Sequence, residues 1–135
     1  ALLIGRRALV VLGAPVLTVD YDLWLHIDDV ERLNDAFAKL DHFPTHAPAD
    51  ARSRGRYVLE NGQRVDVLVA RSVTGPSGRA LSFDEAWGAR QRVDVGAALA
   101  VHIPSLAHLV ETKRWGGRPR DLVDIEWLER FGSTS

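Results

Sequence analysis

The sequence predicts a mixed α/β fold, a small mixed β-sheet with flanking helices. Three observations predict it. Residues 19–27 (VDYDLWLHI) alternate apolar and polar residues, and residues 64–70 (RVDVLVA) form an apolar run broken by one acid; both are strand patterns. Asn61-Gly62 lies between two alternating runs, the strongest short-range hairpin signal. Helix-start signals recur before, between and after these strands. At 135 residues the chain fits one domain, 1–135, with enough Leu, Val, Ala and Trp for a real core.

Taken in order, Ala1 to Ile4 reads as a short buried strand ended by Gly5, and Arg6 to Leu12 as a short helix closed by Gly13 and Pro15. The strand over 19–27 follows. Asp28 with Glu31 has capping-box spacing and opens a helix whose apolar stripe is Val30, Leu33, Phe37 and Leu40. Phe43 to Gly55 reads as a polar loop. Arg56 to Glu60 and Gln63 to Ala70 are the hairpin strands, and Val73 to Arg79 is a loop. Ser82 with Glu85 caps a helix to about Ala89. Arg92 to Val95 and Ala100 to Ile103 are short strands. Ser105 caps a helix running to about Trp115, and Gly116-Gly117 stops it. Pro119, at a first helical turn, opens a last helix to about Phe131 with Leu122, Ile125 and Leu128 facing inward; Gly132 to Ser135 is a frayed tail.

The net charge of −1 gives no global pull towards nucleic acid or an anionic membrane. The absence of cysteine rules out disulfides and thiolate metal sites and fits a reducing compartment, so a cytoplasmic location is expected. No apolar run approaches the roughly 18 residues of a membrane span, and Arg6 and Arg7 interrupt the only signal-like stretch, so no membrane role is expected. The chain opens on an apolar stretch without an initiator methionine, which leaves room for an upstream element.

Chemistry concentrates at Asp20, Asp22 and Asp66. Residues two apart in a strand share a face, which places Asp20 and Asp22 about 6–7 Å apart and mutually repelling. A hard divalent cation between them removes the repulsion. Asp66, flanked by Val65, Val67 and Leu68, reads as lying on an inner strand, where an unpaired carboxylate is expensive. Two acids on one strand and a third on a neighbour suit Mg²⁺ held against nucleotide phosphates. The competing reading is a solvated strand face. Gly5 and Gly13 with Thr18 bound a strand-to-helix turn able to present backbone N–H groups to phosphates. Lys113, Arg118 and Arg120 crowd a helix–turn–helix corner together with Arg114, able to hold a triphosphate or an RNA backbone. Asp121 and Asp124 follow at i and i+3; alternatively they only satisfy a helix N-terminus while the cations are solvated. The five histidines show no ligand spacing, and the tryptophans read mainly as core anchors. Trp24 and His26 share the acid face, so either could line the site. Arg52, Arg54 and Arg56 form a second basic patch, read as a solvated loop.

Taken together, residues 5–25 (GRRALVVLGAPVLTVDYDLWL) resemble the opening motif of the DNA-polymerase-β-like nucleotidyltransferase superfamily, closest to its prokaryotic minimal and abortive-infection-type branch. That motif is a Gly-Gly or Gly-Ser pair, an Ala-containing helix, a second Gly, and then Arg-x-Thr-x-Asp-x-Asp with a hydrophobic residue. Gly5, Ala8, Gly13, Thr18, Asp20, Asp22 and Leu23 match in order; Asp66 fits the third acid, and Lys113 with 118–124 (RPRDLVD) fits the C-terminal block. The chain departs at Arg6, where the family favours Gly or Ser, and at Val16, where it carries Arg. A side chain at Arg6 either blocks close phosphate approach or substitutes its own charge.

The resemblance implies a nucleotidyltransferase fold and transfer of NMP from an NTP, ATP first among candidates, to a hydroxyl of a protein or an RNA end. It implies Mg²⁺ or Mn²⁺ on Asp20, Asp22 and Asp66. It implies nucleotide contacts from Gly5, Arg6, Thr18, Lys113 and Arg118, supported by Asp121 and Asp124. Other readings it allows are a toxin–antitoxin protein that works by binding its toxin or antitoxin partner, and a catalytically degenerate nucleotide-binding domain of the same fold.

Overall fold

A computed structural model describes residues 1–96 and 99–134. Its core element is a mixed five-stranded sheet. β1 (Leu2–Ile4) leads directly into α1 (Gly5–Val11), and β2 (Tyr21–Leu25) returns antiparallel to β1. α2 (Val30–Ala38), β3 (Phe43–Pro44) and α3 (Pro48–Arg54) precede the hairpin of β4 (Arg56–Asn61) and β5 (Gln63–Val69). The strand order is β1-β2-β5-β4-β3, and β2 with β5 is the parallel pair. Asp66 thus lies on the middle strand, as its apolar flanks predict. β6 (Ser72–Thr74) and β7 (Ala80–Ser82) make a small hairpin, followed by α4 (Phe83–Gly88). β8 (Gln91–Gly96) pairs with β9 (Leu99–Ile103), and α5 (Leu106–Gly116) and α6 (Pro119–Thr134) close the chain.

The sheet has two unlike faces. Tyr57, Leu59, Val65, Val67 and Val69 point to one side and form a core with Leu25, Val30 and Ala51, which α2 and α3 cover. The alternate residues point to the other side. There, register places Ile4, Asp22, Asp66 and Val58 in one row across four strands, and Leu2, Trp24, Leu68 and Arg56 in the next. Trp24 is fully buried against Phe83 and Trp115, and its indole N–H donates to the Ala70 carbonyl at 3.0 Å. It is a core anchor and cannot line a base pocket. A third cluster packs α1, α5 and α6 through Leu9, Leu109 and Leu128.

Several expectations need correction. The strand expected over 19–27 is shorter, so Asp20 precedes it. Asp28 does not cap α2: a 3₁₀ turn, Ile27–Asp29, intervenes, the His26 Nδ1 accepts from the Asp28 N–H, and Glu31 is taken by Arg52. Leu40 lies beyond the helix and is exposed. The expected loop 43–55 contains β3 and α3, whose signals were Pro48 in the first turn and Gly55 just past the end. Of the loop expected over 73–79, Val73 and Thr74 belong to β6 and only 75–79 form the tip of the β6–β7 hairpin. α6 continues through Gly132 to Thr134, and Ser135 lies outside the described residues. Leu122 points outward at 63 % exposure, because Asp121 and Asp124 take the inward positions of that helix. The caps at Ser82 and Ser105 form as expected, accepting from Glu85 N and His108 N. No helix among the described residues is long and apolar enough to cross a membrane.

The α6 orientation predicts unequal costs for two leucines. Leu128→Ala, at a buried site, should cost about 2–5 kcal/mol, whereas Leu122→Ala should stay within about 0.5 kcal/mol of wild type. Urea denaturation of both variants checks this.

Candidate active site

The site lies where the open sheet face meets the β1–α1 turn and the α5–α6 corner. Asp22 and Asp66 are register partners on the parallel strands β2 and β5. Asp20 stands two residues before Asp22, is exposed, and lines the same cavity. Its N–H donates to the Thr18 hydroxyl at 3.2 Å. Arg7, which sequence reasoning passed over, pins this segment. Its guanidinium donates to the Thr18 carbonyl at 3.0 Å and the Asp20 carbonyl at 3.4 Å, and lies 4.1 Å over the Tyr21 ring. No pattern in the sequence marks such a brace.

Gly5 presses on Asp22. Its φ is +70°, and a Cβ there would lie 2.5 Å from the Asp22 Oδ2. Only glycine lets the turn pass this close to the carboxylate. Burial raises the Asp22 carboxyl above its ordinary range; the charges of Asp66 and Asp20 push it the same way, while Lys113 and Arg118 pull it back in part. Asp22 therefore senses both other acids electrostatically.

Across the cleft, Lys113, Asp121 and Asp124 are all buried, and the two carboxylates are at most 2 % exposed. Lys113 Nζ stands 2.8 Å from Asp124 Oδ2 and 3.6 Å from Asp121 Oδ1. Arg6 reaches Asp124 through Nε at 3.1 Å and Nη2 at 3.3 Å. Arg118 donates to Asp121 Oδ2 from both its backbone N–H, at 3.1 Å, and its Nε, at 3.0 Å. The first bond is half of a capping box, so Asp121 does satisfy a helix N-terminus, whereas Asp124 serves only the network. Burial alone would raise the Asp121 carboxyl, but the hydrogen bonds from Arg118 and the charge of Lys113 bring it below its usual range. Gly116 makes room for this: a Cβ there would collide with the Asp121 carboxylate.

The three acids and the residues expected to contact or support a nucleotide are therefore in or beside one cleft, whereas Gly13, Trp24 and Arg114 line neither of its cavities. Gly5, Arg6, Thr18, Asp20, Asp22, Lys113 and Arg118 line a cavity of about 300 Å³. Asp66 and Asp121 border a larger groove that shares the acids with it, and Asp124 sits behind, holding Arg6 and Lys113. Arg6 spends its guanidinium on Asp124, a role that neither sequence alternative named.

The acids are of the residue type that a hard divalent cation takes. Among the described residues, however, no three potential ligands stand at cation-binding spacing. Asp66 Oδ1 instead accepts from Arg64 Nε at 3.2 Å and Nη2 at 3.1 Å. That pair is solvent-exposed, and screened pairs of this kind are weakly held, so the Asp66 carboxylate is free to exchange partners. His26 is occupied at the start of the 3₁₀ turn and lines neither cavity.

No protein-family model matches the chain, and no curated protein matches it.

Two outcomes follow from the site's electrostatics. The raised Asp22 carboxyl means that the folded state favours its protonated form. Ionised Asp22 therefore costs stability above its folded pKa, and the cost vanishes below the ordinary value of 3.8. Asp22→Asn should raise Tm at neutral pH, with the gain shrinking as pH falls into the carboxylate range; calorimetry at several pH values tests it. Lys113→Met leaves two buried carboxylates short of a cation and should cost about 3–5 kcal/mol, measured by chemical denaturation.

Proposed function

We propose that this chain is a divalent-metal-dependent nucleotidyltransferase, transferring NMP from an NTP, ATP first among candidates, to a hydroxyl acceptor. The observation that carries the reading is the pairing of Asp22 with Asp66 across parallel strands, beside Gly5 and facing the Lys113 and Arg118 cations. Negative oxygens next to a cationic wall complement a metal-bound triphosphate. The resemblance of 5–25, Asp66 and 118–124 to the polymerase-β-like superfamily supports the same reading.

In this reading Asp20, Asp22 and Asp66 hold the cation, Mg²⁺ or Mn²⁺. When bound, it supplies charge neutralisation and orientation for the phosphates. Arg118 and Arg120, exposed on the cavity wall, hold the β- and γ-phosphates, and buried Lys113, held against Asp124 and Asp121, adds its positive charge from behind. Asp66, released from Arg64, takes the proton of the acceptor hydroxyl. The acceptor oxygen bonds to the α-phosphorus as the bond to pyrophosphate breaks. Arg6 and Asp124 act as positioning residues: they fix Lys113 and the β1–α1 turn without touching substrate. The absence of cysteine and of a membrane-crossing helix among the described residues is in keeping with a cytoplasmic protein.

The deciding experiment is calorimetric titration with ATP, GTP, CTP and UTP, with and without Mg²⁺ or Mn²⁺, beside an Asp20→Asn/Asp22→Asn variant. Metal-dependent binding of at least one nucleotide, lost in a variant that remains folded, is expected. Wild type that binds no nucleotide at millimolar concentration would overturn the reading.

A further inference from the structure

Asp20 is the acid that the sheet does not hold. Residues 14–20 have no regular structure. Pairing with β1 reaches only Asp22, and pairing with β5 only Tyr21, so Asp20 has no register partner on either side. Packing does not hold it either, because Leu17 and Val19 beside it are 95 % and 83 % exposed. Among the described residues, the hydrogen bonds made at Asp20 use its N–H and its C=O, and none uses its carboxylate.

The side chain that reaches this segment is Arg7, in the first turn of α1. Its Nη2 donates to the Thr18 carbonyl at 3.0 Å and its Nε to the Asp20 carbonyl at 3.4 Å. The guanidinium lies over the Tyr21 ring, and Tyr21 packs in turn on the core beneath α2 and α3. A guanidinium ordinarily suits a carboxylate. Here it is spent on two carbonyls and a ring, which leaves both Asp20 carboxylate oxygens open. Arg7 lines neither cavity of the cleft. Arg6, the residue before it, is tied to Asp124, so two consecutive arginines fix one turn to α6 and to the Asp20 segment.

We propose that Arg7 is a positioning residue for Asp20. It fixes the backbone of 18–20 so that the Asp20 carboxylate stays in the cavity beside Asp22, and it touches neither cation nor nucleotide. This rests on the nucleotidyl-transfer reading, in which Asp20 is one of three acids that take the metal.

Two effects of Arg7 on cation binding have opposite signs. Among the described residues no three potential ligands stand at cation-binding spacing, so a cation has to draw them together. A ligand whose backbone is already ordered loses less on binding. Ordering the backbone of one residue is worth about a factor of 5–30 in an equilibrium constant. The Arg7 charge acts the other way, since a positive group beside the acids repels a metal ion. Loss of a brace therefore weakens cation binding, whereas loss of a charge alone tightens it.

The test is Mn²⁺ titration of the full chain, followed by electron paramagnetic resonance with and without ATP, on wild type and Arg7→Gln. Backbone amide exchange is measured by mass spectrometry on both proteins without metal, at a temperature where both are folded. The expected result is Mn²⁺ affinity weakened about fivefold or more in Arg7→Gln, with faster exchange confined to residues 14–20. Equal or tighter Mn²⁺ binding in Arg7→Gln overturns the role of Arg7 and leaves the metal reading standing. Faster exchange spread through the sheet makes Arg7 a general structural residue and also overturns it. A wild type that takes up no Mn²⁺, with or without ATP, overturns the metal reading and the Arg7 role together. Should Arg7→Gln not fold, Arg7→Lys carries the same test, because it keeps the charge and loses the planar fork; weaker Mn²⁺ binding is expected, and wild-type affinity overturns the proposal.

Discussion

Asp121 and Asp124 are two carboxylates almost without solvent, and a pair so placed is tolerable only if cations and hydrogen bonds converge on it. Arg6, Lys113 and Arg118 do so from three parts of the chain: the β1–α1 turn, the last turns of α5 and the entry to α6. Much else follows from this constraint. α6 must turn its acidic edge inward, which sends Leu122 and Val123 to solvent. Gly116 must lack a side chain. The β1–α1 turn is tied to α6 at Arg6, and that same turn lays Gly5 against Asp22. The network thus sets the position of the cationic wall relative to the acidic row.

Two carboxylates of one cleft shift in opposite directions for a physical reason. Both are pushed upward by desolvation. Asp121 then receives two hydrogen bonds from Arg118 and a buried ammonium, which reverse the push. Asp22 has like charges as neighbours and only distant cations, which do not. The stabilised acid belongs to the scaffold. The destabilised one is left with an unmet demand for positive charge.

Much of this was legible in the sequence. The Asn61-Gly62 hairpin, the caps at Ser82 and Ser105, and the inner position of Asp66 rest on local rules that the tertiary structure did not override. The cleft residues were legible as types and spacings. What was not legible is pairing at a distance. Arg6 with Asp124 spans 118 positions, and no local pattern announces it. The inward Leu122 was misjudged because a hydrophobic stripe was assumed to outrank carboxylates; with three cations waiting on the inner side, it does not. α3 was missed because its seven residues are mostly polar, although Pro48 and Gly55 marked both ends. Asp28 was a plausible cap, but His26 reached its N–H first.

Arg6 shows how such a departure is absorbed. In sequence, a long cation next to Gly5 either obstructs phosphate or replaces a missing charge. In the fold, its guanidinium is drawn back to Asp124, so the obstruction does not arise at the Gly5 backbone, which still borders the cavity. Nor does Arg6 offer its charge to a ligand directly, because that charge is already engaged by a buried carboxylate. What it changes is the scaffold. With Arg6 on one side of Asp124 and Lys113 on the other, a single carboxylate holds both cations in place, and three cations face two acids, leaving one positive charge in surplus. A surplus of that sign beside Asp22 offsets part of the charge of the acidic row.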